Sequence, residues 1–377
     1  MKSGKARRKD GHPLRIFVIN PGSTSTRLAL YAGGQAVFSR EFQHDKAEIA
    51  RFPHVADQFA YRLAAVETAL ADGRIDPGTL DGVAGRGGLL RPMEGGVYEV
   101  SDAMLDDLQS ARYGEHACNL GASLAREVAR RAGVGAYIVD PVVTDELADV
   151  ARITGLPDIR RRSLFHALSQ RGAARTAAAR LGVAYGEADF IVCHMGGGIS
   201  IGAHRRGRVV EVVNALDGEG PFSPERTGGL PLVPVLEMLE RGEQTPATLK
   251  RAVLREGGLF AHLGTNDLRE VVRRMGENDD QARTLFQALA YGVSRHIGSL
   301  APALADEAGR VTVAAVVLTG GLARSAQLVH EIMRMVGYLG PVEVVTGDEE
   351  MAALAGGVIR ALTGAEPVKT YGPAGGL

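Results

Sequence analysis

Two stretches of this chain share a pattern that few folds accommodate: "FVINPGSTSTRLALY" (Phe17–Tyr31) and "FIVCHMGGGISIGAH" (Phe190–His204). Each is an apolar run that breaks into a glycine or hydroxyl turn and then resumes as an extended strand. A phosphate loop or dinucleotide fingerprint needs its glycines to open a helix whose N-terminus meets the phosphates. Here the chain stays extended and no Gly-Lys-Ser/Thr follows, so both of those folds are disfavoured. A hairpin of bare N–H groups still makes an anion nest, because glycine lets the backbone approach phosphate oxygens closely. Taken alone, the triple glycine reads more readily as a simple β-turn. The first stretch shifts that balance: "NPGSTSTR" crowds an amide, several hydroxyls and an arginine into one turn. Such crowding is costly unless something polar sits in it.

The surrounding pattern repeats as well. Ile16–Asn20 and Arg27–Tyr31 read as strands, with "AGGQAVF" a Gly-Gly hairpin into a third. Phe190–Cys193, Ile199–His204 and Val209–Asn214 repeat that order, with "RRGR" as an exposed turn of no catalytic role. This weak self-similarity points to an internal duplication. Helical periodicity covers Val55–Leu70, Leu120–Arg131, Ala282–Leu304, Ala326–Met335 and Glu350–Leu362, and Ser163 is placed to cap a helix through Arg180. Ala136–Val139 and Val313–Thr319 read as buried strands, and the alternation predicts an α/β fold. A third loop, "VVLTGGLARSAQ", follows one of these strands, and its glycines clear space at the strand's carboxyl end. Three anion-capable loops describe a cleft between two similar domains that closes on a nucleotide polyphosphate.

Composition narrows the function classes. At 377 residues, 45% hydrophobic and 23% charged, the chain is long enough for two globular domains. A net charge of -1 gives no bulk positive field of the kind nucleic-acid binders carry. The basic leader, residues 1–13, reads as disordered, because the apolar run Ile16–Ile19 is too short for a signal sequence. No stretch approaches the roughly 18 apolar residues of a membrane span. Cys118 and Cys193 suit neither a metal site nor a disulfide framework, so a soluble cytoplasmic protein is expected.

The motifs "NPGSTSTR", "GRGG" with "RPMEGGVY", "YGEHACNLG", "DPVVTDEL", "RRSLFHALSQR", "HMGGGIS", "DGEGPFSPERTGGLP" and "LTGGLARS" occur in that order. On these the chain resembles the acetate and sugar kinase/Hsp70/actin superfamily, and within it the acyl-phosphate-forming acetate/butyrate kinases. "RPMEGG" and "GPFSPERTGG" are similar to the butyrate kinase branch. The acetate kinases have a longer chain, and an arginine-serine-glycine where this one has Arg226-Thr227-Gly228. The resemblance implies two duplicated ribonuclease H-like (actin-like ATPase) domains with a cleft between them. Residues 14–150 with 352–377 would form the acid-binding domain and 151–351 the nucleotide-binding one. It implies reversible in-line transfer of the γ-phosphoryl group of ATP to butyrate or a branched C4–C5 acid, with Mg2+ or Mn2+, by a homodimer or higher homo-oligomer. The alternatives are an acetate/propionate kinase and, in another class, a non-enzymatic actin- or Hsp70-like nucleotide switch.

The chemistry sets what such a site needs. A carboxylic acid with a pKa of about 4.3 is already ionised at neutral pH, so it needs no strong base. The difficulty is one anion attacking another, which calls for cations and donors on the transferring oxygens. Arg86 and Arg226 stand among glycines, and by resemblance Arg86 meets the substrate carboxylate while Arg226 stabilises the phosphoryl group. From spacing alone His166 is a satisfied, partly buried histidine; the resemblance makes it a transition-state donor, and His116 a donor on the substrate side. Asp140 reads as a turn or cap residue, and by resemblance as the catalytic carboxylate near the metal. Asn20 and Glu349 match the family's metal-associated positions, although Glu349 and Glu350 are hard to separate. Nucleotide contacts fall to His194, Met195, Gly196, Gly197 and Gly198, to Asp267, Leu268 and Arg269, and to Gly320, Gly321, Leu322, Ala323 and Arg324. "NDLRE" serves equally as a helix start capped by Asn266 or Asp267. Arg27 joins the nucleotide set where the acetate kinases carry a lysine, a departure at that contact.

Overall fold

The computed structural model describes residue 8, residues 11–347 and residues 349–372, without the Glu349 side chain. These residues pack as two compact units: one runs to Asp145 and resumes after Gly347, and the other is Glu146–Gly347.

The first unit is built on an antiparallel meander of β1 (Arg15–Pro21), β2 (Ser25–Ala32) and β3 (Gln35–Gln43). β4 (Gly82–Gly85) pairs parallel to β1, and β6 (Gly135–Val139) parallel to β4. Beyond β6 lie β5 (Val97–Glu99) and a last short strand, Val368–Thr370. β1 is apolar almost throughout and buried along nearly its whole length, as expected of a central strand covered on both faces. The mostly exposed, alternating β3 takes the edge.

The second unit follows the same path. β7 (Phe190–Met195), β8 (Ile199–Arg205) and β9 (Arg208–Val213) form the meander. β10 (Ala315–Thr319) then lies parallel to β7, and β11 (Val342–Val345) parallel to β10. The order β9-β8-β7-β10-β11 matches β3-β2-β1-β4-β6 strand for strand and direction for direction. The duplication is therefore a repeat of topology. Each unit has its own core: Phe17, Leu28, Val83, Leu124 and Ile138 in the first, and Ile191, Ile201, Phe286, Val293 and Leu318 in the second.

Three expectations need adjustment. Ser163 does not cap the following helix; that helix is Ala167–Leu181 with His166 at the cap position, and Ser163 is buried upstream. The long helix is Asp280–Ser299, because Pro302 then draws Ala301–Leu304 into a 3-10 turn. Most of the leader lies outside the described residues, but Arg8 is anchored, donating to the Thr79 carbonyl at 2.7 Å and pairing with Asp81.

Candidate active site

In both units the parallel strands deliver side chains at their carboxyl ends, where α/β sheets place ligands. In the first unit these are Asn20 near the end of β1, Arg86 after β4 and Asp140 after β6. Arg86 Nη1 donates to Asn20 Oδ1 at 3.3 Å and to Glu350 Oε2 at 2.9 Å, and Asn20 Nδ2 donates to the same Glu350 oxygen at 3.0 Å. Of the acidic pair, Glu350 is thus the member seen with Asn20; the Glu349 side chain lies outside the described residues.

Asp140 is almost fully buried and holds φ 41°, a left-handed backbone that non-glycine residues rarely adopt. Its carboxylate accepts the Gly96 N–H at 2.7 Å, while its own N–H donates to the Gly96 carbonyl at 2.9 Å. That exchange holds the carboxylate just past the strand end.

His116 stands at the start of a short 3-10 turn, and its Nδ1 accepts the Cys118 N–H at 3.2 Å. The ring proton therefore sits on Nε2, 3.5 Å from Ser23 Oγ. Burial lowers its pKa, and the charges of Arg86 and Arg62 lower it further, so the ring is a neutral donor. Burial also pushes the neighbouring Cys118 thiol up to about 11. Arg62 was not read from the sequence. It is fully buried, donating to Thr26 Oγ1 at 3.0 Å, the Ser25 carbonyl at 3.1 Å and the Ser23 carbonyl at 3.4 Å. It supplies part of the polar partner that "NPGSTSTR" requires. Arg27 lies on β2 opposite Asn20.

In the second unit, β7 delivers His194 and Met195 into the triple-glycine turn, closed by Gly196 N–H donating to the Gly198 carbonyl at 3.0 Å. The turn is bare because Arg226 lies on it: a β-carbon at Gly198 would come 2.6 Å from the guanidinium carbon. Arg226 Nη1 donates to the Ala215 carbonyl at 2.8 Å, while its buried Nε has no hydrogen-bond partner among the described residues. Burial lowers the Arg226 pKa, partly offset by the charge of Glu225, so the guanidinium is a strained cation that an anion would relieve. His166 stacks on His194 with ring centres 4.0 Å apart, and its Nδ1 is 2.8 Å from Ser200 Oγ.

Beside the turn opens a cavity of about 710 Å3, within the range of small-molecule sites. Gly196, Gly197, Asp267, Leu268, Arg269, Gly321, Leu322 and Arg324 line it, drawn from all three expected segments. Met195 and Ala323 are buried behind it, and Gly320 makes the tight exit from β10 at φ 87°. Asp267 also caps its helix, accepting Arg269 N–H at 2.9 Å, so the cap reading of "NDLRE" holds together with the lining one. The Arg269 side chain is nearly fully exposed and paired with Asp267. Glu225 and Ser325 also line the cavity and escaped the sequence reading; Asn266, read there only as a cap, lines it too, and its Nδ2 donates to Glu225 Oε1 at 2.8 Å.

Among the described residues no three His, Cys, Asp or Glu side chains converge as a metal cage. Asp140 past the end of β6 and Glu350 in the first turn of the helix Glu349–Leu362 offer carboxylate oxygens, the hard donors that suit Mg2+.

Two sheets of one repeated topology, with glycine-turn hairpins at matching positions, make the duplicated fold of the actin-like ATPases. Comparison with known proteins then narrows the class. Residues 157–356 match the Acetokinase family. A probable butyrate kinase of Maridesulfovibrio salexigens is 52% identical over 358 residues, covering 95% of this chain and 98% of that protein. One from Coprothermobacter proteolyticus is 45% identical, covering 95% and 99%. Among solved structures, Porphyromonas gingivalis acetate kinase superposes with a TM-score of 0.73 at 17% identity, covering 92% of this chain and 99% of that one. A propionate kinase from Francisella tularensis gives 0.68 at 16% identity, covering 90% and 98%. The chain belongs to the acetokinase family.

Proposed function

We propose that the chain transfers the γ-phosphoryl group of ATP to butyrate or a branched C4–C5 acid, reversibly, giving an acyl phosphate and ADP. The observation that carries this reading is Arg226, a partly desolvated guanidinium packed on a bare glycine turn beside a nucleotide-sized cavity. The choice of acid follows the relatives named probable butyrate kinase; one methylene more or less is worth only about 1–3 kcal/mol, so neighbouring chain lengths should also react.

In this account the glycine turn and the Gly320–Arg324 loop bind the polyphosphate, Arg226 offsets the charge of the transferring oxygens, and His166 donates a hydrogen bond to them. Arg86 and the Nε2–H of His116 hold the acid. Asn20 with Glu349 or Glu350 would hold Mg2+, which would supply positive charge to offset that of the phosphates. Asp140 orients the metal's surroundings and takes no proton, because the acceptor arrives ionised. The working form is a homodimer. The exposed face of helix Leu232–Glu240 supports this, since Leu232 and Val233 are 66% and 64% exposed beside exposed Leu230 and Leu236.

The test is ATP-dependent hydroxamate formation across C2 to C6 acids. Turnover should peak at C4–C5. Turnover of a sugar with none of the acids, or binding of ATP with no turnover at all, would overturn the proposal.

A further inference from the structure

Behind His166 a row of polar side chains runs through the interior of the second unit. Ser200, Gln170 and His204 are all fully buried, on β8 and on the helix Ala167–Leu181, where apolar residues would pack at lower cost. Their hydrogen bonds have one consistent direction, fixed by a single carbonyl. Gln170 Nε2 lies 3.0 Å from the Ser200 backbone oxygen, which only accepts, so the amide orientation is settled. The same nitrogen donates to Ser200 Oγ at 2.9 Å, and the His166 N–H donates there too, at 3.3 Å. Both lone pairs of the Ser200 hydroxyl are then used. Its remaining contact is His166 Nδ1 at 2.8 Å, so the hydroxyl proton goes there. On the far side, Gln170 Oε1 faces His204 Nε2 at 3.2 Å, which must carry its proton, and Tyr185 Oη lies 2.9 Å from His204 Nδ1.

We propose that Ser200, Gln170 and His204 are positioning residues that hold His166 in the neutral form protonated on Nε2, aimed as a donor at the transferring phosphoryl oxygens. The role of the donor rests on the kinase reading above; the tautomer does not. Protonating Nδ1 would set two protons against each other across 2.8 Å, so the row also disfavours the imidazolium. Stacking on His194, 16° from parallel, fixes the ring plane that the row leaves free. Gly202 keeps the passage open: a β-carbon there would come 2.5 Å from Gln170 Oε1 and 3.1 Å from His204 Nε2. A glycine in the middle of a buried strand is otherwise unfavourable.

The tautomer is read directly by long-range 1H–15N correlation on the full chain labelled with 15N-histidine, the His166 ring being assigned by its loss in His166→Gln. The wild type should show a bare Nδ1 and a protonated Nε2. Ser200→Ala should mix the two tautomers and lower kcat by roughly tenfold or more, with KM for ATP within about twofold. Ser200→Thr should restore the tautomer, and Gly202→Ala, which displaces Gln170 without touching His166, should disturb it. A wild-type ring protonated on Nδ1, or an unchanged tautomer in Ser200→Ala, overturns the proposal. If the wild type forms no acyl phosphate the kinase reading fails, and the spectrum still decides this one.

Discussion

Arg226 and Arg86 carry the same charge in different settings. Arg226 is partly desolvated, and its Nε has no hydrogen-bond partner among the described residues, whereas Arg86 is already paired with Glu350. Arg226→Ala should lower kcat about 10²- to 10³-fold, as for loss of a transition-state donor, with thermal unfolding little changed. Glu350→Gln should release Arg86 and lower KM for the acid in steady-state kinetics; an unchanged KM would mean that the acid does not meet Arg86. Much of the nucleotide lining was legible in the sequence because glycine loops after strands have few other uses. The left-handed backbone of Asp140 and the partners of His166 were not, since Ser200 and Gln170 look like ordinary strand and helix residues until the fold brings β8 against the helix.

The two glycine-turn hairpins are the elements the sequence announced most clearly, and the β1–β2 and β7–β8 registers place their turns as expected. β4 was missed because "GVAG" offers two glycines and no alternation over four residues. The helix Leu232–Glu240 was missed because an apolar run containing Pro234 lacks a helical stripe. Glu146, in "DPVVTDEL", proves to be half of a buried ion pair with Arg171 at 3.1 Å and also accepts the Val209 N–H at 2.7 Å. Glu146→Ala should cost about 3–5 kcal/mol in denaturant unfolding, by stranding the guanidinium. Gly320→Ala should cost about 1–3 kcal/mol, because φ 87° is strained for alanine and its β-carbon would meet the Met195 carbonyl at 2.5 Å. Gly198→Ala meets only a side-chain end, so it should reduce kcat while leaving stability nearly intact.

Across the whole molecule, the duplicated topology was legible as a repeated rhythm, while its strand order became visible only in the sheets. Stability should also fall on mild acidification. Burial holds the pKa values of His44, His116 and His296 below their ordinary 6.5, so near that pH the unfolded chain binds more protons. Their contribution is complete above pH 6.5 and is lost as pH falls below it; denaturation midpoints from pH 8 to 5 should show that slope, reduced in His44→Gln. Leu232→Glu with Leu236→Glu should yield monomers by light scattering if that helix is the dimer face. The central claim, that this enzyme works by neutralising charge and not by removing a proton from its acceptor, is tested most directly by the pH dependence of kcat/KM for butyrate in the wild type and Asp140→Asn. The account predicts a plateau through neutral pH in both, lower in the variant. A wild-type limb of slope one that rises through neutral pH and vanishes in Asp140→Asn would contradict it.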